Sequence, residues 1–215
     1  EVGVGGGGFL HAARAAGFEV MGCEISEPLA RRVEESTGVQ VHCVDLASLP
    51  ADAFDVVCMH HVLEHVRDPV NFLRAAHKRL KPGGLLHLAL PNCACWEARL
   101  SGWNCYVCYH LAYFDESTLA RALAAAGFAG RRTTSHESFA TWFLTLLRTA
   151  AGVRSLDAPP KVAASPGRVP PWRPLVEHPY RLAMVASGLL TWPLRAVQGW
   201  MGFGDELIAL ARRKA

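Results

Sequence analysis

Glu1-Val2-Gly3-Val4-Gly5-Gly6-Gly7-Gly8 opens the chain and decides how the rest is read. Val2 and Val4 look like the apolar end of a strand, while the glycines at 5 to 8 have no side chains to pack and therefore make a loop. Residues 9–17 follow with helical spacing and close on Gly17. A strand that turns through glycines into a helix lets a ligand come close to the backbone and meet the first helical amides.

Working outward, short apolar runs alternate with helical patterns through the first 95 residues, the signature of βαβ units around a parallel sheet. Residues 18–24 read as the second strand and 28–36 as a helix. Residues 39–44 alternate as a third strand, and 54–59 form the apolar run of a buried fourth. Asp68-Pro69 starts a helix carrying Val70, Leu73, Ala76, His77 and Leu80 at helical spacing. Lys81-Pro82-Gly83-Gly84 stops it, and 85–90 is the fifth strand, ended by Pro91-Asn92.

Residues 92–113 turn irregular and aromatic, with Trp96, Trp103, Tyr106, Tyr109 and Tyr113, as expected of a loop or cap beside a pocket. Asp115 caps a helix over 115–126, and a sixth strand is expected over 128–135. Residues 157–179 contain seven prolines and read as an extended linker between apolar helices at about 138–152 and 179–201. Residues 205–211 read by composition as a helix or equally as a last strand. The expected division is a core over 1–136, a helical and proline-rich insertion or cap over 137–203, and a final core strand over 204–215.

Composition bounds the partners. The 215 residues are 51% hydrophobic and 19% charged with a net charge of +3, which suits a folded α/β chain without a nucleic-acid footprint. Seven cysteines, an odd number in a chain able to build its own core, point to a reducing, cytoplasmic compartment. No signal peptide precedes the glycine loop, and residues upstream of Glu1 are expected. Residues 182–201 carry Pro193, Arg195 and Gln198, so they make a poor membrane span but suit a membrane surface.

The loop satisfies a dinucleotide pattern literally, with glycines at 3, 5 and 8 and the acidic Glu24 further on. Glu1 argues against that cofactor, because a carboxylate beside the loop repels pyrophosphate and attracts the ammonium of an amino acid. With Glu1 ahead of Gly3, Gly5 and Gly7, with Asp45 after the third strand, and with Phe54-Asp55-Val56-Val57, residues 62–69, Lys81-Pro82-Gly83-Gly84, Pro91-Asn92 and residues 110–114, the chain resembles the class I S-adenosylmethionine-dependent methyltransferases. The resemblance covers about residues 1–128, and it is nearest the branch that modifies quinones, glycans and other small molecules.

The resemblance implies a Rossmann-like, seven-stranded, mostly parallel sheet with helices on both faces and a helical insertion between the last two strands. It implies that Gly3, Gly5 and Gly7 pass the methionyl part of S-adenosylmethionine, that Glu1 attracts its amino group, and that Glu24, with Ile25 beside it, accepts the ribose hydroxyls. Asp45 and Leu46 would meet the adenine, and S-adenosylhomocysteine would be the product. His60, at the end of strand four, would lie against the cofactor where the methyl group sits.

Methyl transfer is an in-line displacement, so the protein aligns the acceptor and needs a base only where that acceptor carries a proton. His60, His61 and His110 are the candidate bases, since imidazole titrates near neutrality. Glu64 and Asp68 read as loop and helix fasteners. Cys93, Cys95, Cys105 and Cys108 suggest a metal arrangement, against which packing in the cap is preferred, so no metal is assigned. Cys23, Cys43 and Cys58 read as small core residues.

The expected activity is methyl transfer to a small-molecule or lipid-like acceptor, at oxygen. The insertion, through Trp142, Phe143, Leu146, Leu147, Leu189, Leu190, Trp192, Leu194 and Trp200, would cover the acceptor, pair two copies as a homodimer, or touch a membrane peripherally through 179–201 with Arg181 and Arg195 at the headgroups. The alternatives are an NAD(P)-dependent oxidoreductase and a non-catalytic membrane-associated scaffold that keeps the fold.

Overall fold

A computed structural model describes residues 1–153 and 179–214. The proline-rich linker over 157–179 lies almost wholly outside the described residues, and so does the side chain of Arg181. The strands are β1 Gly22–Cys23, β2 Val41–His42, β3 Phe54–His60, β4 Leu80–Pro91, β5 Phe128–His136 and β6 Glu206–Arg213. The helices are α1 Gly8–Ala15, α2 Glu27–Thr37, α3 Pro69–Arg79, α4 Glu116–Ala125, α5 Thr141–Ala150, α6 Pro179–Leu190 and α7 Trp192–Trp200.

β1 and β2 pair in parallel, as do β3 and β4, and the larger sheet runs β3-β4-β6-β5. Val2 joins the two sheets through parallel bridges to Cys23 and to Met59. The expected α/β organisation is present, but the described residues form six strands, in a two-stranded and a four-stranded set, in place of the seven expected. Val2 makes these bridges as a single residue, directly before Gly3 turns the chain at φ 72° into the loop.

The turn expected at Lys81-Pro82-Gly83-Gly84 is absorbed into β4 as an irregularity. Phe54 pairs with Leu80 and Val56 with Leu85, so two residues of advance on β3 face five on β4. Gly84 is required there, since a Cβ would lie 2.9 Å from the Lys81 carbonyl and 3.1 Å from that of Asp55. The expected single helix over 179–201 is two helices, meeting at Thr191 with Pro193 in the first turn of α7.

The chain divides into two compact units, one of Glu1–Pro91, Leu111–Thr133 and Leu207–Ala215, the other of Asn92–His110 and Thr134–Glu206. In the first, Leu73 and Ala76 of α3 and Leu119 and Leu123 of α4 pack with Met59, Leu86, Leu88, Leu207 and Ala209 of the sheet. Burying each such leucine contributes about 1.5–3 kcal/mol. A smaller cluster sets Leu10 of α1 and Ala30 and Val33 of α2 against Val4, Val39 and Val41, which fixes both helices flanking the glycine loop. Helix starts follow the sequence: the Asp68 side chain accepts from Asn71 N–H, and Asp115 with Thr118 forms a capping box.

In the second unit Trp103 is fully buried, with Cys95 and Ala98 around it and Cys93 and Cys105 packed against them, while Cys108 is exposed. The aromatic stretch thus has its own small core. Asn92, also fully buried, donates from Nδ2 to the carbonyls of Gly202 (3.1 Å) and Gly204 (2.7 Å). Arg195 is buried rather than at a surface, its guanidinium donating to the carbonyls of Ser138 and Gly188, which corrects its expected placement among headgroups. Among the described residues no helix is long and apolar enough to cross a membrane.

Candidate active site

Three parallel segments end side by side. Val2 bridges Cys23 and Met59, Val2 N–H donates to the Cys58 carbonyl (2.9 Å), and Gly3 N–H donates to the Cys23 carbonyl (2.8 Å). The residues that follow, Glu24 after β1 and His60 at the end of β3, therefore flank the start of the glycine loop. This is the carboxyl edge of the strands, where open α/β sheets take their ligands.

The loop glycines divide by what surrounds them. A Cβ on Gly3 would meet Val62 Cγ2 at 2.5 Å, and one on Gly7 would meet Val33 and Thr37 at 2.8 Å, so these two are needed for packing. Around Gly5 and Gly6 no atom lies within 4 Å of such a Cβ. The middle of the loop is thus an open cradle with an exposed backbone, and Gly7 (φ 77°) leads directly into α1 as its N-cap.

Glu24 is buried to 9% exposure, and its Oε1 accepts from Ser26 N–H at 2.9 Å. A carboxylate held by one local amide keeps lone pairs for further donors such as hydroxyls. Ile25 beside it is 82% exposed. Asp45 is exposed, and its Oδ1 accepts from Ala47 N–H (2.7 Å) to cap the short turn Leu46–Ser48. Leu46 puts its side chain into the main core instead of the surface.

Glu1 and His60 meet: Glu1 Oε1 lies 3.3 Å from His60 Nδ1, and the glutamate side chain is 4% exposed. Glu1 Oε2 is buried with no hydrogen-bond partner among the described residues. His60 Nε2 is in turn 3.0 Å from His87 Nδ1 on β4, and Phe9 of α1 stands edge-on to the His60 ring. Both ring nitrogens of His60 are thereby engaged. His87 was not singled out from the sequence, although the alternation Leu86-His87-Leu88 marks it as facing away from those leucines.

His61 is exposed, with the left-handed φ of 54°, and its Nδ1 lies 3.3 Å from Glu64 Oε1. Glu64 is buried, and its backbone carbonyl accepts from Leu111 and Ala112 N–H, so it fastens the loop after β3. His110 belongs to the second unit, half-buried beside the Tyr109 ring. Of the strand cysteines, Cys23 and Cys58 are buried, and burial raises both thiols, Cys23 to about 11. Cys43 is exposed, contrary to its expected place in the core.

A methyltransferase-domain family model matches residues 1–132, well over half of the chain. The chain belongs to this family of methyltransferases. Among curated proteins it is 40% identical over 92 residues to a ubiquinone biosynthesis O-methyltransferase of Ruegeria pomeroyi, covering 40% of this chain and 37% of that protein. It is 37% identical over 100 residues to the protein of the same name from Pseudomonas syringae, covering 43% of each. The chain thus spans under half the length of these relatives.

Solved structures agree on the fold. A SAM-dependent methyltransferase from Archaeoglobus fulgidus superposes with a TM-score of 0.62 at 16% identity, covering 99% of this chain and 84% of that one. A possible histamine N-methyltransferase from Thermotoga maritima gives 0.60 at 19% identity, over 99% and 80%. The fold is that of the class I S-adenosylmethionine-dependent methyltransferases.

Proposed function

We propose that this protein transfers a methyl group from S-adenosylmethionine to a small-molecule or lipid-like acceptor, at oxygen. One observation carries the reading: the loop with its open cradle at Gly5 and Gly6 starts beside two largely buried carboxylates, Glu1 with an unpartnered oxygen and Glu24 with one local partner. These two acceptors match an amino-acid ammonium at one end and a diol at the other. It does not match the pyrophosphate of a nicotinamide dinucleotide, which Glu1 would repel.

In this reading Glu1 holds the ammonium, the backbone of residues 3–7 runs along the methionyl chain, Glu24 holds the ribose hydroxyls, and Asp45 with its neighbours faces the adenine. When bound, S-adenosylmethionine supplies an electrophilic methyl on a sulfonium. The chain's own residues orient the acceptor, keep water out, and take a proton from its hydroxyl. His60, His61 and His110 are the candidate bases for that proton; the two ring nitrogens of His60 meet Glu1 and His87.

The O-methyltransferase names of the relatives and the second unit support the acceptor class. That unit, which contains the helical insertion assigned to 137–203, holds a cavity of about 380 Å³ walled in part by Phe139, Trp192, Arg195 and Trp200. Leu189, Leu190, Trp192, Leu194 and Trp200 are each more than 60% exposed, an apolar ridge suited to peripheral membrane contact or to a second copy.

Calorimetric titration with S-adenosylhomocysteine, NAD and NADP tests the cofactor. Micromolar binding of S-adenosylhomocysteine alone supports methyl transfer. Binding of a dinucleotide alone moves the reading to an oxidoreductase, and binding of none, in folded protein, leaves a scaffold. A radiolabelled methyl assay against catechol and quinol acceptors then tests the oxygen assignment.

A further inference from the structure

We propose that His87 is a positioning residue for cofactor binding, acting through His60 to hold the Glu1 carboxylate with its unpartnered oxygen toward the ammonium of the bound cofactor. The proposal rests on the reading of Glu1 given above. Its geometry is a chain of two contacts, Glu1 Oε1 to His60 Nδ1 at 3.3 Å and His60 Nε2 to His87 Nδ1 at 3.0 Å. The parallel register explains how the second contact arises: Cys58 pairs with His87 and His60 with Ala89, so His60 and His87 are diagonal neighbours on one face of the sheet.

The direction of the relay follows from donor and acceptor inventory. An ionised carboxylate only accepts, so His60 presents Nδ1–H to Glu1. In the neutral ring Nε2 is then the acceptor, and His87 donates to it from Nδ1–H. Remove that donor and the His60 ring loses the hydrogen bond that fixes its far edge, and is held by the Glu1 contact itself and the edge of Phe9. The contact that orients Glu1 then loses its own support.

The consequence is local to one end of the cofactor. His87 is half-buried and its role concerns the amino-acid end alone, so its loss should leave the adenosine end untouched. Two probes separate these ends. S-adenosylhomocysteine carries the ammonium, and 5′-methylthioadenosine has the same nucleoside and thioether without it.

The experiment is calorimetric titration of the wild-type chain, His87→Phe and His87→Asn with both probes, after thermal melts establish that each variant is folded. Phenylalanine keeps the ring volume without the donor, and the asparagine amide restores an N–H near the Nδ1 position. The expected result is about tenfold weaker S-adenosylhomocysteine binding in His87→Phe, unchanged methylthioadenosine binding, and recovery of most of the loss in His87→Asn. Equal losses for both probes, or no loss for either, overturn the relay while leaving the cofactor assignment intact. A wild-type chain that binds neither probe overturns the cofactor assignment, and the relay with it.

Discussion

Gln198 Nε2 donates to Glu137 Oε2 at 2.8 Å, at the centre of a buried polar knot in the second unit. The same amide donates to Glu97, and its oxygen accepts from the indoles of Trp96 (3.0 Å) and Trp142 (2.9 Å). Asp205 joins through its backbone N–H to Glu137 Oε2 at 2.9 Å, while its own carboxylate accepts from Ser138 N–H and Thr141 Oγ1. One neutral amide thus bridges two acids and two tryptophans drawn from distant parts of the chain.

Burial first, then the neighbouring Asp205 and Glu97, push the Glu137 carboxyl from 4.5 up to about 9. The native state then binds a proton that the unfolded chain has already lost at intermediate pH. Stability from this group is fully present below about 4.5 and is lost as pH rises through 9. Thermal melts should therefore fall between roughly pH 5 and pH 10, and Glu137→Gln, which cannot ionise, should flatten that decline. A melting curve for Glu137→Gln as steep in pH as the wild type would show that another group is responsible.

Glu24→Ala should weaken S-adenosylhomocysteine binding by about 1.5–3 kcal/mol, the range for hydrogen bonds to a charged group. Its fold cost should be small, because the carboxylate's local partner, Ser26 N–H, lies at the solvent-facing start of α2. Titration gives the first number and urea unfolding the second. Cofactor affinity unchanged in Glu24→Ala would remove the ribose assignment.

How much of this was visible in the sequence depends on the range of the interaction. The glycine loop, the Asp68 and Asp115 caps, and the α3 periodicity are local signals, and each appears where the residues placed it. The strands beside the loop shrink to Gly22–Cys23 and Val41–His42, because pairing in a parallel sheet is set by partners remote in sequence. The Glu1–His60–His87 contacts and the Gln198 knot link residues 27 to 102 positions apart, and no periodicity carries that information. Glu97 lies in the irregular aromatic stretch over 92–113, and only the fold makes it a buried acid. Arg195 read as a surface charge on an apolar helix, yet backbone carbonyls of its own unit satisfy it.

Asn92→Ala should cost about 2–4 kcal/mol. The side chain is fully buried, donates to two carbonyls, and accepts from Ala94 N–H at 3.0 Å, so truncation strands several polar groups out of water. The loss belongs to the second unit, where every one of these partners lies. Near-ultraviolet circular dichroism, weighted by Trp96, Trp103 and Trp142 of that unit, should report the change before far-ultraviolet signal falls.

Gly5→Ala and Gly7→Ala should fail in different ways, although both glycines have positive φ, 50° and 77°. At each position alanine costs about 1–2 kcal/mol for the left-handed backbone. At Gly7 the new methyl also lands 2.8 Å from Val33 Cγ1, in the small core, and from Thr37 Cγ2, both on α2, so α1 and α2 must separate. Gly7→Ala should therefore destabilise the protein by a further ~1–3 kcal/mol. At Gly5 the methyl enters open space, so the chain keeps most of its stability and the obstruction falls on whatever occupies the cradle. Denaturant unfolding and S-adenosylhomocysteine titration on both variants should show stability lost mainly at Gly7, and affinity lost at Gly5 beyond its stability change. Normal cofactor affinity in Gly5→Ala would mean that the ligand does not lie along the loop.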